Sequence, residues 1–403
     1  MTSWRALKHF CTDAGQYGLN IAADSYVDDG IRMIRTTDAA TGGGLTPTED
    51  GVFVPPSAPE LKHQMEDGDL LLSRSGSLGK YVHYRTAMGP ATFAGFLVRF
   101  RPRSGVLSRY LAYCFESSFF TAAIESEAVS STISNFNAER YANVRLPWWG
   151  TREQRAIADF LDTETARIAA LIDKKRRLSE RLVERRTGVI DRLFEQQPIC
   201  PRLSRLLIQS PCYGVLKPDR YEGDDAVPCL RISEIKASGD LDLTEAIAIS
   251  PTQHAEYRRT RLSRGDVLLS CVGTLGRAAV VGEETAGANV SRAVARLVPQ
   301  PGLDPRYLCL WTESSEFRRA VDLVVNVTAQ PVLNMGDLAS MKVPMPEKLD
   351  ETRRLSADIG AVLAPIEEAR AKLARQMTLL KEHRQALITA AVTGKLEVPG
   401  VAA

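Results

Sequence analysis

Residues 151–194 read TREQRAIADFLDTETARIAALIDKKRRLSERLVERRTGVIDRLF, with no proline and a single glycine, Gly188, so nothing there breaks a helix. Apolar residues stand at Ile157, Leu161, Ile168, Leu171, Leu178, Leu182 and Val189. Their spacings are sums of threes and fours, the signature of a coiled-coil seam. Dense charge fills the gaps, with the basic run at 174–177 among Asp173, Glu180 and Glu184. At 1.5 Å per residue such a helix is roughly 65 Å long and needs a partner for its stripe. The chain supplies one after residue 351, with Leu355, Ile359, Val362, Ile366, Leu373, Leu380 and Leu387. Pro365 is expected to kink or restart this second helix near its first third. The two segments are predicted to pair, and the rest of the chain hangs on them.

The chain of 403 residues is long enough for two or three domains with their own cores. Its apolar runs fall far short of a membrane span, and residues 1–15 carry no secretory signal pattern. The seven cysteines are scattered, odd in number and without a C-x-x-C pair, which points to a reducing cytoplasm. The five histidines cluster neither with cysteines nor with one another, so no metal site is indicated. A net charge of +2 means that any contact with nucleic acid must come from local patches.

Overlaid with a shift of 197, residues 1–150 and 197–348 match. GDLLLSRSGSLG at 68–79 sits on GDVLLSCVGTLG at 265–276, identical at eight of twelve positions. Arg109-Tyr110-Leu111 falls on Arg306-Tyr307-Leu308, Glu116-Ser117-Ser118 on Glu313-Ser314-Ser315, Phe120 on Phe317 and Asn137 on Asn334. The chain is one unit of domain plus helix written twice, a duplication and not a solenoid. Residues 69–73 and 266–270 read as short buried strands entered from Gly-Asp turns. Residues 80–84 and 277–281 read as the next strands, and 93–100 and 289–298 as half-buried strands. Residues 107–116 and 304–313 read as helices. The fold class is α+β: a first mixed domain at 1–150, a long helix at 151–196, a second mixed domain at 197–348, a second long helix at 349–396 and a tail at 397–403.

Two glycine loops invite a functional reading. Gly76-Ser77-Leu78-Gly79-Lys80 and Gly273-Thr274-Leu275-Gly276-Arg277 do not fit the phosphate-loop pattern, and each leads into a strand. Either they are turns between strands, or they bring Arg74, Ser75, Ser77 and Lys80, with Thr274 and Arg277 in the second copy, against DNA. Arg99 and Arg101 after Phe96, and Arg259 and Arg261 after Tyr257, form basic runs that suit a solvated face or phosphate contacts. Asp219, Glu234 and Lys236 spell a metal-dependent nuclease core, but Glu234 and Lys236 align near Asp38 and Ala40, so the first copy lacks the set. No Ser/His/Asp or Cys/His arrangement can be assembled, and the chain reads as non-catalytic with no metal of its own.

Two related domains, each followed by a long helix, resemble the specificity subunit of type I restriction–modification systems. Glu153-Gln154 with Ile157 and Phe160-Leu161-Asp162, and Leu387-Ile388-Thr389-Ala390-Ala391-Val392-Thr393-Gly394-Lys395 at the end, carry the resemblance, which spans the chain. It implies that each domain is a target recognition domain reading one half of a bipartite, asymmetric double-stranded DNA site. It implies that the helices form an antiparallel coiled coil that sets the gap between half-sites, an internal pseudo-twofold. It further implies docking of methyltransferase subunits and, through them, restriction-translocase subunits. S-adenosylmethionine, ATP and Mg would then belong to those partners, with no cofactor on this chain. The second helix departs from the pattern, with Glu351-Thr352 where the first has Glu153-Gln154, and with Pro365. Two other classes stand beside this one: a stand-alone Mg-dependent nuclease through Asp219, Glu234 and Lys236, and a coiled-coil adaptor that binds no DNA.

Overall fold

The computed structural model describes all residues except 1–2, 48–50, 57–62, 76–77, 129–135, 237–238, 326–330 and 402–403, so Ser77 lies outside the described residues. The chain forms two compact units, residues 1–175 with 374–403, and residues 176–373. Each unit therefore holds one mixed domain and a half of each long helix.

The first unit contains β1 (Ser3–Ala6), β2 (Gln16–Tyr17), β3 (Ile31–Ile34), β4 (Val52–Val54), β5 (Leu70–Ser73), β6 (Tyr81–His83), β7 (Ala91–Phe93) and β8 (Leu97–Phe100). Helices α1 (Ser108–Glu116), α2 (Ser118–Ala128) and α3 (Ala138–Asn143) follow, then β9 (Arg145–Trp148) and the start of α4 (Thr151–Glu195). One sheet has the order β2-β8-β5-β6, a second β4-β3-β7, and β1 pairs with β9. The second unit takes the end of α4, then β10 (Leu207–Tyr213), β11 (Val227–Leu230), β12 (Ile247–Ile249), α5 (Pro251–Glu256), β13 (Val267–Ser270), β14 (Ala278–Val280), β15 (Asn289–Val290) and β16 (Val294–Pro299). Helices α6 (Pro305–Glu313), α7 (Ser315–Val324), α8 (Met335–Ser340) and the start of α9 (Glu351–Thr393) complete it. Its sheets run β10-β16-β13-β14 and β12-β11-β15, the same two orders strand for strand. Even the parallel pairing recurs, β3 with β7 and β11 with β15. The sequence repeat is thus a repeat of topology.

Each domain closes over the helices, which supply part of its core. In the first unit Phe100, Tyr110, Phe120 and Tyr141 pack with Ile157 and Leu161 of α4 and Ile388 and Val392 of α9. In the second, Leu297, Tyr307, Trp311 and Phe317 pack with Ile190 and Phe194 of α4 and Leu363 and Ile366 of α9. Two buried tyrosines tie domain to strand alike: Tyr110 donates to the Pro147 carbonyl at 2.8 Å and Tyr307 to the Pro344 carbonyl at 2.9 Å. Gln154 accepts from the Leu107 N–H at 2.8 Å, and Thr352, the second residue of α9, accepts from the Asp304 N–H at 2.9 Å. The glutamine-to-threonine exchange at the second helix start thus keeps the tether.

The two long helices pack together. Lys175 donates to Gln376 at 2.7 Å, and Arg186 to Glu367 at 2.5 Å, so the partners run in opposite senses along the chain. Ile157, Leu161, Ile168, Ile366 and Leu373 are buried as expected, and Leu182, Val189, Leu355, Ile359, Leu380 and Leu387 are half-buried. Leu171, Leu178 and Val362 are not in the seam; they are 40%, 48% and 50% exposed. The heptad phase set by Ile168 continues through Ile172, Lys175 and Ser179, whose polar members hid it. On α9 the fully buried positions beside Val362 and Leu387 are Leu363 and Ile388.

Two other expectations change. Of the two outcomes expected at Pro365, a restart does not occur: α9 runs as one helix from Glu351 to Thr393, with the proline on its exposed side, where water can satisfy the freed carbonyl. The strand expected at 93–100 is two strands in different sheets, because a tight turn at 94–96 carries the chain from β7 to β8, with Leu97 N–H donating to the Ala94 carbonyl at 2.9 Å.

The seam correction has a measurable consequence. Leu161→Ala should cost about 2–4 kcal/mol in urea unfolding, whereas Leu171→Ala and Leu178→Ala should each cost under about 0.5 kcal/mol. Equal losses for all three would restore the spacing-only seam.

Candidate nucleic-acid interface

The Gly-Asp turns before β5 and β13 bury a carboxylate, and each finds an arginine. Asp69, fully buried, accepts from Arg101 Nε and Nη2, both at 2.8 Å, and Asp266 accepts from Arg296 Nε at 2.6 Å. Arg101 also pairs with Glu66. Arg296 is the repeat partner of Arg99, which in the first unit bonds to Gln16 and is 6% exposed. Arg99 therefore faces inward, and Arg101, just past the strand and half-buried, is paired with carboxylates of its own domain. A DNA phosphate would have to compete with the buried Asp69 carboxylate and with Glu66 for Arg101.

The other candidates lie elsewhere. Arg74 stacks over the Tyr17 ring at 4.9 Å, and Ser75 beside it is half-buried. Lys80, Thr274 and Arg277 are exposed on the glycine turns, and Arg259 and Arg261 are exposed around the short turn at 258–260. The Arg259 carbonyl accepts from Arg296 at 2.8 Å, which holds the turn but leaves its side chain at the surface.

The structure does not bring the nuclease set together. Glu234 is 2% exposed and caps its own turn, accepting from the Arg231 N–H at 2.5 Å and the Arg231 guanidinium at 2.9 Å. Asp38 does the same for Arg35 in the first unit, both bonds at 2.8 Å, so the aligned acids share a structural duty. Lys236 pairs with Asp242 at 3.0 Å, and Asp219 sits by Gln253. Among the described residues no group of three or more His, Cys, Asp or Glu could hold a metal ion. Burial pushes the thiols of Cys11, Cys114, Cys229, Cys271 and Cys309 up to about 12, which keeps them protonated and unreactive.

A pair of equivalent clefts was not foreseen. In the first unit Leu78, Lys80, Phe115, Glu116, Ile124 and Arg384 line a cleft of 1120 Å³. In the second, Leu275, Arg277, Thr312, Glu313, Val321 and Arg186 line one of 1130 Å³. At the floor of each, a glutamate at the end of a domain helix meets an arginine from a long helix: Glu116 with Arg384 at 2.5 Å, and Glu313 with Arg186. Burial opposes the charge of Arg186, but its bonds to Glu313 and Glu367 outweigh that and raise its pKa. Beside these pairs, the Ser118 N–H donates to Thr389 at 2.9 Å, and the Ser315 N–H to Asp191 at 2.7 Å. The signal for this was in the repeat: Arg186 and Arg384 stand 198 apart, as do Asp191 and Thr389, while Glu116 and Glu313 stand 197 apart. Each domain thus rests on the start of its own helix and the end of the other one.

No family model matches the chain. The type I restriction enzyme EcoBI specificity subunit of Escherichia coli is 24% identical over 308 residues, 69% of this chain and 64% of its own length. The EcoKI specificity subunit of E. coli strain K12 is 24% identical over 259 residues, 60% of this chain and 55% of its own. The alignments thus span a little over half of those relatives. A solved chain from work on complex assembly and conformational transition of the type I R-M system has a TM-score of 0.66 at 16% identity, covering 98% of both chains.

The cleft floor makes its own prediction. Glu116→Gln should destabilise the protein by about 1–3 kcal/mol by stranding a half-buried guanidinium, and a double-mutant cycle with Arg384→Met should show coupling of about 1 kcal/mol or more. Additive effects would mean the two groups do not hold each other. By sequence, then, this chain is a homologue of the specificity subunits of type I restriction enzymes, and it shares the fold of a solved chain from such a system.

Proposed function

We propose that the chain is the non-catalytic specificity subunit of a type I restriction–modification complex, which recognises a bipartite, asymmetric DNA sequence and docks methyltransferase and restriction subunits. The observation that carries this reading is the strand-for-strand repeat of one domain topology, with each copy seated on halves of the same two helices. A duplicated reader joined through paired helices suits a target in two parts. The copies keep their scaffold and differ elsewhere, which suits half-sites of different sequence. The long helices act as an antiparallel coiled coil whose length sets the spacer; half-sites one turn of DNA apart lie roughly 34 Å between centres.

Partner docking falls to the outer faces of the helices. Leu171 and Leu178 stand seven residues apart on one face of α4 and are exposed, apolar area that the seam leaves bare. The methyltransferase subunits cover this face. S-adenosylmethionine, ATP and Mg are used by the partner subunits and not by this chain. No described helix is long and apolar enough to cross a membrane.

Three outcomes test the reading. The purified chain should shift duplex DNA in a salt-dependent way, most strongly with a methyltransferase subunit present; no shift under either condition would favour an adaptor, and Mg-dependent cutting a nuclease. Leu171→Glu with Leu178→Glu should abolish co-purification of the methyltransferase subunit while leaving the melting temperature within a degree or two. Inserting four residues near Ser179, about 6 Å of helix, should change the untouched spacer and leave both half-sites as they were. Altered half-site bases after that insertion would contradict the proposed division of labour.

A further inference from the structure

Building on the DNA-reading assignment above, we infer that base reading is concentrated at one corner of each domain, where an identical backbone frame carries exchanged side chains. The corner is the turn that joins the two sheets, between β7 and β8 in the first unit and between β15 and β16 in the second. Three of its hydrogen bonds recur in register. Gly95 N–H donates to the Leu19 carbonyl and Arg292 N–H to the Val215 carbonyl, both at 2.8 Å. Arg74 N–H donates to the Phe96 carbonyl at 3.0 Å, and Cys271 N–H to the Ala293 carbonyl at 2.8 Å. Phe136 N–H donates to the Arg74 carbonyl at 2.8 Å, and Leu333 N–H to the Cys271 carbonyl at 2.9 Å. In both copies a glycine permits the crossing: a Cβ on Gly18 would collide with the Phe93 carbonyl oxygen, and one on Gly214 with the Val290 carbonyl oxygen.

The frame recurs, but what it displays differs. The first unit presents Phe96, 62% exposed, beside Arg74 on the Tyr17 ring, with Asn20 exposed alongside. The second puts Ala293 in the place of Phe96, exposed Arg292 in the place of Gly95, and Leu216, 64% exposed, in the place of Asn20. An aromatic ring held in water on a fixed turn gains nothing for its own domain. Two readers of different half-sites need their chemistry to diverge where bases are touched and their backbone to stay put. This corner satisfies both conditions. The clefts do the opposite: Leu78, Gly79 and Lys80 meet Leu275, Gly276 and Arg277, so their chemistry is common to both copies. The corner's chemistry names its targets. Phe96 makes an apolar contact with a thymine methyl, and Arg292 makes a two-point contact with the O6 and N7 of guanine.

The test is selection from a randomised duplex library by the full chain bound to its methyltransferase subunit, comparing wild type with Phe96→Ala, Arg292→Ala and Leu216→Ala. Each position is exposed and, among the described residues, donates or accepts only through its backbone, so melting temperatures should match wild type. Phe96→Ala should lower preference for one T·A pair about ten-fold in one half-site, and Arg292→Ala should lower preference for one G·C pair about ten-fold in the other. The spacer and opposite half-site should remain intact in each case. The inference is overturned if wild type selects a bipartite motif that all three variants also select unchanged, or if the variants weaken every sequence alike. A wild-type complex that selects no motif overturns the DNA-reading assignment itself, a result distinguishable from the first two.

Discussion

Everything in this structure depends on two long helices that cannot bury their own stripes unaided. A helix of this length exposes an apolar edge along its whole course, and the seam between α4 and α9 covers it only in part, because Lys175 and Ser179 stand in mid-seam positions. The ends are covered by the domains. Ile157 and Leu161 of α4 with Ile388 and Val392 of α9 vanish into the first core, and Ile190 and Phe194 with Leu363 and Ile366 into the second. Each such side chain contributes about 1.5–3 kcal/mol when fully buried. Neither domain has a complete core without its helix halves.

The polar contacts give that burial its register. Hydrophobic contact alone tolerates sliding, whereas a glutamate that meets one arginine does not. Glu116 with Arg384 and Glu313 with Arg186, backed by Ser118 on Thr389 and Ser315 on Asp191, fix where each domain sits along its helices. The same ties recur in both units because the helix ends, like the domains, are copies.

Much of the architecture was legible in the chain because it is written twice. A second copy acts as a test of the first: the GDLLLS and GDVLLS strings, the tyrosines at 110 and 307 and the glutamates at 116 and 313 could be found by overlay. The copy also explained Glu234, since its counterpart Asp38 caps the same turn. Illegible were features decided by which neighbour a side chain meets. Arg99 and Arg101 read as surface charge until Gln16 and Asp69 were placed beside them. Leu171 and Leu178 read as seam because hydrophobicity reveals the buried face only where that face is apolar.

Sequence alone determined the α+β class, the duplication and the two helices, because periodicity and repetition are properties of order along the chain. Tertiary structure alone decided which arginines face inward, where the seam runs through its polar middle, and that 93–100 breaks into two strands at a corner. Those depend on contacts between residues far apart in the chain, such as Gly18 against Phe93 and Arg74 against Phe96, whose geometry no local pattern encodes.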